Sequence, residues 1–297
     1  VKKPKNVRLV RGSHIIVDKI FKHDKSYIFQ NPDGRIIFAI PYEKKYTLIG
    51  TTDKDHGDKV DSVKIDSEEL QYLCDSANAY FKNHISGSDV IWSYSGVRPL
   101  YDDGATKAQQ ATRDYVVKTE TKEQSLLINI FGGKITTYRQ LSETILKHIE
   151  EFLGQRGPAW TEQAQLPGGN FEVGKLHDLI RQLQTRYPFL GNREVNRFAR
   201  TYGTMSKHVL GEAKSLADLG KHFGAGLYQA EIEYLVANEL ATTSQDILFR
   251  RTKLGVGLPK NVANEIDSFL RAMEIGLYSA NRCAHANSKK HSTQIRA

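Results

Sequence analysis

The sequence has 297 residues, enough for one large domain or two ordinary ones with a buried core. Lys plus Arg number 42 against 34 Asp plus Glu, and the resulting net charge of +8 favours anionic partners: phosphorylated substrates, acidic lipid headgroups or nucleic acid. A composition of 39% hydrophobic and 26% charged residues argues against wholesale disorder, and no apolar run approaches the roughly 18 residues of a spanning helix. The two cysteines, Cys74 and Cys283, exclude a disulfide framework and a Cys-rich zinc site, and fit a reducing compartment.

The chain opens VKKPKNVRLVRGSH, with neither an initiator Met nor a signal-type apolar core. This reads as a linker entering a strand, and as a piece of something longer. Residues 7–120 read as mostly strand: IIVDKIF, SYIFQ, RIIFAIP and YTLIGTTD are short β-branched and aromatic runs. Asn31-Pro32-Asp33-Gly34 between two of them predicts a hairpin, and Asp55-His56-Gly57-Asp58 a second turn. One helix interrupts, with Leu70, Leu73, Ala77 and Phe81 on one face and Asp66 or Ser67 as its cap. Strands return at VIWSYSGVRPL and ATRDYVVKTE.

Residues 125–153 change character. A continuous apolar run, SLLINIF, predicts a strand buried on both faces, as in a parallel sheet. Gly-Gly follows, then a helix carrying Leu141, Ile145, Ile149 and Phe152 on one face. From Gly154 a Gly- and Pro-containing linker leads into Gly-punctuated helical patterns, predicting an all-α region of about five or six helices. The basic tail after Ser279, with Arg282, Lys289, Lys290 and Arg296, reads as frayed.

Chemistry concentrates in two places. Phe131-Gly132-Gly133-Lys134-Ile135-Thr136-Thr137 joins a strand to a helix N-terminus, where free N–H groups and the helix dipole attract an anion or a flavin carbonyl. Lys134 adds a mobile charge, and Thr136 or Thr137 can cap. A plain tight turn explains the motif equally well. The second place is a set of strand-end residues: His14, Arg98 and Arg113. A buried Arg is costly unless it holds a carboxylate or phosphate. Singly, the plainer readings are better: a solvated end, a satisfied histidine, or an ion pair of Arg113 with Asp102 or Asp103. The ten histidines show no metal-ligand spacing, and no metal is expected. The Gly-Ala-Gly at 224–226 reads as a turn or cap between helices, and Arg250-Arg251-Thr252-Lys253 as a solvated helix end.

In one order, RGSHIIV, IPYEKKYTLIGTTD, IWSYSGVRPL, ATRDY, FGGKITTYR, GPAWTEQAQLPGG, RYPFL, ARTYG and RRTKLG resemble the FAD-dependent, respiratory sn-glycerol-3-phosphate dehydrogenases. The resemblance covers nearly the whole chain except its last thirty or so residues. It implies an α+β fold: an antiparallel or mixed substrate-domain sheet, the end of an FAD-binding α/β domain, then an all-α helical cap. The implied domains are 1–124, the C-terminal part of the substrate-binding sheet; 125–153, the last strand and helix of the FAD-binding domain; and 154–297, the cap. No GxGxxG is present, so the chain is expected to lack the ADP-binding half and to bind FAD weakly or not at all by itself.

The resemblance also implies roles. His14 is the catalytic base. Arg98, Arg113 and Lys134 bind substrate or steady the reduced flavin, and Gly132, Gly133, Lys134 and Thr136 place donors at the cofactor. The substrate is sn-glycerol 3-phosphate, the product dihydroxyacetone phosphate, and the electrons pass to membrane quinone from a cytoplasmic protein held peripherally on an anionic lipid surface. A homodimer is left open, and nucleic acid is not an expected partner. The alternatives are a glycerol-3-phosphate oxidase that reduces O₂, a non-enzymatic basic module that binds anions or membrane, and an inactive scaffold fragment.

Overall fold

A computed structural model describes residues 7–57, 60, 63–104 and 111–273. Asp58, Cys283 and the four basic tail residues lie outside the described residues. The chain divides into two units, residues 1–164 and 165–297.

The first unit is organised by strand β1 (Val7–Asp18). Its β-branched residues favour the extended backbone, and it is paired on both sides. One neighbour is β4 (Tyr46–Gly50), followed outward by β3 (Ile36–Tyr42) and β2 (Tyr27–Gln30). The other is β6 (Val90–Tyr101), and short β5 (Lys54–Asp55) pairs at Val10 and Arg11. All these pairings are antiparallel. The predicted hairpin joins β2 to β3, closed by Gly34 N–H donating to Asn31 O, with Gly34 at φ 82°.

Side chains alternate across β1. Ile15 and Val17 point to a core with Ile37, Ile49, Leu73, Cys74 and Ala77, which α1 (Ser67–Asn78) covers. Asp66, not Ser67, caps that helix. Its carboxylate accepts from Glu69 N–H at 2.9 Å while Glu69 accepts from Asp66 N–H at 3.2 Å, a reciprocal capping box. Phe81 lies past the helix end, yet still packs on this core.

Three expectations change here. The apolar run 125–131 forms β8 (Ser125–Phe131), but its partner is the preceding strand β7 (Val116–Lys122), antiparallel through a two-residue turn at Glu123-Gln124. It is not buried on both faces: Leu127 is 55% and Ile130 47% exposed. A run of apolar side chains fixes neither the direction nor the number of its neighbours, and a tight turn made the nearest strand the partner. ATRDY precedes β7 rather than belonging to it. Finally, helix α2 (Tyr138–Leu153) starts without a side-chain cap; the Thr137 hydroxyl donates instead to Lys134 O at 3.0 Å.

The second unit is helical: α3 (Leu176–Arg186), α4 (Asn192–Tyr202), α5 (Ser206–Leu210), α6 (Gln229–Glu239), a π-helical turn Asp246–Arg251, and helix 260–273. Leu183, Val195, Phe198, Leu227, Ile232 and Ile266 meet in its core. A small hairpin, β9 (His222–Gly224) with β10 (Leu227–Tyr228), interrupts the helices. The Gly-Ala-Gly at 224–226 is the turn of this hairpin, all three residues at positive φ, and does not link helices. Arg250 pairs with Asp246 at 2.9 Å. The LPGG and TYG motifs meet: a Cβ on Gly203 would lie 1.9 Å from Gly168 O, and Thr204 N–H donates to that same oxygen. Only two glycines permit this approach.

The Asp66 carboxyl is pushed down to about 2, first by the Glu69 N–H and then by Lys54. A depressed carboxyl stabilises the fold above its unfolded value of 3.8 and loses that contribution as pH falls toward 2. Asp66→Ala is therefore expected to cost about 1 kcal/mol at pH 7, in the usual range for a lost cap. The gap from wild type should narrow by pH 3, measured by urea unfolding at both pH values.

Candidate active site

The site forms on the face of β1 opposite α1. His14 lies mid-strand, not at a strand end, with Gly50 of β4 on one side and Tyr94 of β6 on the other. Its ring stacks on Tyr94, centroids 4.8 Å apart and planes 4° from parallel. Gly50 is required opposite, because a Cβ there would fall 2.1 Å from His14 Cδ2. Burial and the Arg98 charge push the imidazole down to about 4, so it is neutral at pH 7. Its Nδ1 is enclosed with no hydrogen-bond partner among the described residues, which leaves Nε2 to meet a ligand. Burial raises the Tyr94 phenol as well.

Two residues along β1, Gly12 pairs with Gly96, and next to that pair Val10 faces Arg98. Even-numbered positions of β1 and β6 share this face, so Arg98 lies along the same row as His14 and Tyr94. Arg98 Nη1 is 3.3 Å from Asp53 Oδ1, and Nη2 donates to Thr51 Oγ1 at 3.3 Å. Arg113 arrives from the loop before β7 and places Nη2 3.0 Å from the same Asp53 oxygen. Asp53 is thus an acid that meets Arg113, one not named among the expected partners. One carboxylate oxygen gathers two guanidinium groups that are each about one-third exposed. An array of this kind holds a phosphate or carboxylate through charge-assisted hydrogen bonds.

The glycine turn abuts this region. Gly132, at φ 66°, approaches Asp114 O and the backbone of Leu100 and Tyr101, so its lack of a Cβ serves contact within the chain. Gly133 has φ 101° and packs beside Tyr115. Lys134 Nζ is 3.8 Å from Asp114 Oδ1. Thr136 sits in the single turn Ile135–Thr137 that precedes α2. There the N–H groups of Ile135 and Thr136 come too early for an intrahelical acceptor. Ile135 is 90% exposed. Among the described residues no cluster of His, Cys, Asp or Glu could hold a metal ion, and no helix is long and apolar enough to cross a membrane.

The structure therefore brings together His14, Arg98 and, through Asp53, Arg113. Asp53, Thr51, Tyr94, Gly12 and Gly50 went unseen in the sequence. The TTD following a strand was the available signal for two of them; the others emerge only from strand register.

Residues 1–139 match the family model described as FAD dependent oxidoreductase, and residues 159–277 the one described as the C-terminal domain of alpha-glycerophosphate oxidase. The chain is 42% identical over 272 residues to a glycerol-3-phosphate dehydrogenase of Pseudomonas aeruginosa, covering 91% of this chain and 53% of the relative. It is 43% identical over 249 residues to a D-erythritol 1-phosphate dehydrogenase of Brucella abortus, covering 84% and 50%. The solved structure of the glycerol-3-phosphate dehydrogenase from Bacillus halodurans complexed with FAD aligns with a TM-score of 0.67 at 25% identity, over 90% of this chain and 56% of that one. The chain spans about half the length of the curated relatives it matches.

Gly12 gives a direct test of the arginine array. A Cβ at this position would lie 2.3 Å from Arg98 Nη1 and 2.6 Å from Nη2. The far end of an arginine can move aside, so Gly12→Ala should fold. The displaced guanidinium leaves Asp53 and Thr51, and affinity for inorganic phosphate should fall roughly 10- to 100-fold, the worth of one charged hydrogen-bonding group. Calorimetric titration of the complete protein with phosphate measures this.

Proposed function

We propose that the chain is part of an FAD dependent oxidoreductase, as the match of residues 1–139 and the relatives support, and that the complete protein oxidises sn-glycerol 3-phosphate to dihydroxyacetone phosphate and passes the electrons to membrane quinone. The observation that carries this reading is the row of His14 and Arg98, with Arg113 joined through Asp53. A polyol phosphate needs an anion site and, a few ångströms away, a base for its hydroxyl. The relative named for D-erythritol 1-phosphate favours a second reading, in which a longer polyol phosphate is bound in the same orientation.

The residues present suit the cofactor. The N–H groups of Ile135 and Thr136, which precede any intrahelical acceptor, and the half-exposed Lys134 offer donors for flavin carbonyl and ribityl oxygens, while Gly132 and Gly133 pack within the chain and hold the turn that presents them. FAD, when bound, supplies the two-electron acceptor for the hydride of the secondary alcohol. The chain's own residues do the rest. Arg98 and Arg113 bind the phosphate and orient the carbinol carbon. His14, neutral at pH 7, takes the hydroxyl proton at Nε2. A phosphate dianion on Arg98 cancels the charge that helps depress His14, so substrate binding raises the basicity of its own base. Burial, the larger cause, stays.

The net charge of +8 fits a peripheral position on an anionic cytoplasmic membrane face, where quinone is the acceptor. Reoxidation of the substrate-reduced, full-length protein separates the acceptors: rapid reaction with a quinone and slow reaction with O₂ supports the dehydrogenase, and the reverse supports an oxidase.

His14→Ala is expected to lower turnover on glycerol 3-phosphate by roughly 10²- to 10⁴-fold, with flavin content retained. The sign of the pH dependence follows from its depressed value. Between 6.5 and about 4, the unfolded chain holds more protons at His14 than the folded one, so stability falls as pH drops through that window. The acid limb of kcat/KM, which reports the free protein, should accordingly lie well below 6.5, and the limb of kcat higher. Turnover near wild type in His14→Ala, with a deuterium isotope effect at the carbinol carbon showing that chemistry limits the rate, moves the base elsewhere.

A further inference from the structure

Behind the sheet, on the α1 side of β1, is a carboxylate that the site has not used. Glu69 is only 4% exposed. It accepts from Ser13 Oγ at 3.0 Å and Thr52 Oγ1 at 2.5 Å, and Arg11 Nη2 is 2.7 Å from its other oxygen. Ser13 N–H donates to Thr52 Oγ1 at 2.9 Å, and the Ser13 hydroxyl also meets Ser95 Oγ at 2.8 Å. A capping box needs only the exchange between Asp66 and Glu69. The two hydroxyl contacts go beyond it.

Each partner is adjacent in sequence to a side chain of the site. Ser13 precedes His14, Ser95 follows Tyr94, and Thr52 sits between Thr51 and Asp53. The segment 51–53 has left strand β4 and lacks a ladder to hold it. Its anchorage is the Thr52 hydroxyl on Glu69, with the Thr52 N–H to Ser13 O at 3.4 Å and the Ser13 N–H to Thr52 Oγ1. On the other side of that segment, Thr51 and Asp53 are the groups that Arg98 touches, and Asp53 also holds Arg113.

We infer that Glu69 is a positioning residue of the anion site: by gripping Thr52 and Ser13 from behind the sheet, it fixes Thr51 and Asp53, which in turn aim Arg98 and Arg113. Buried polar groups with every hydrogen bond made rigidify their surroundings, and an arginine fork binds phosphate well only when its direction is held. The inference rests on reading the two arginines as the phosphate site.

The test uses the full-length, FAD-loaded protein with Glu69→Gln and Thr52→Val, both close in shape to the native residues. The expected result is a roughly tenfold rise in KM for glycerol 3-phosphate and a matching loss of affinity for inorganic phosphate by calorimetry, the scale of one hydrogen bond to a charged group. Flavin content and kcat should change less than about twofold, and Thr52→Ser, which keeps the hydroxyl, should restore wild-type affinity. If Glu69→Gln fails to fold, Thr52→Val decides. Wild-type phosphate affinity in Thr52→Val, or losses of kcat and flavin in step with it, overturns the inference and leaves Glu69 a structural residue. A wild-type protein that binds no phosphate overturns both the inference and the proposed function, whereas one that binds and turns over substrate while the variants match it overturns the inference alone.

Discussion

The first unit depends on the two-sided pairing of β1. A strand hydrogen-bonded on both edges cannot slip by one residue without turning every side chain to the other face. On one face it presents Ile15 and Val17 to the α1 core; on the other, His14 and Gly12 to the site. The same registers set Gly50 against His14 and Gly96 against Gly12. The site is therefore built on a rigid element rather than on a loop, which suits groups that must hold an anion and a proton acceptor at fixed separation.

Burial decides the chemistry of that face. His14 loses water to Tyr94 and the sheet and feels Arg98 nearby, so its neutral form dominates at pH 7. The arginines stay part-exposed, and Asp53 draws them together. A neutral base beside a cationic array suits a substrate carrying both a hydroxyl and a phosphate. On the opposite face of the sheet the polar network around Glu69 is compensated throughout, apart from Arg11 Nε, which is buried without a partner among the described residues. The second unit repeats this economy of buried charge. Glu231 is enclosed but meets Arg197 at 2.5 Å and the Tyr202 hydroxyl at 2.6 Å, and the Tyr202 phenol rises in consequence of burial and that carboxylate.

Local signals were legible in the sequence where a few adjacent residues decide the outcome. The Pro-Asp-Gly turn, the Asp66 cap with Glu69 three residues on, and the amphipathic helices of the second unit need only neighbours in the chain. His14, Arg98 and Arg113 could be named as candidates, and the order of the motifs pointed to the family that the comparisons bear out. The π-helical turn at Asp246–Arg251 was missed because it departs only slightly from α-helical spacing, and the β9–β10 hairpin because strands of three and two residues are too short to show a period.

What the sequence determined by itself was thus the kind and order of most elements, and an order of motifs shared with the relatives it matches. What only the tertiary structure decided was which groups meet. Asp53 lies 45 residues from Arg98, and Glu69 lies 56 residues from Ser13. No periodicity links such pairs, because strand register and helix docking bring them together. The direction of β8 was decided in the same way, by a two-residue turn that let the nearest strand close on it before any more distant partner. Hydrophobic pattern specifies which side of an element is buried; the choice of partner follows from chain connectivity and packing, which depend on all the elements at once.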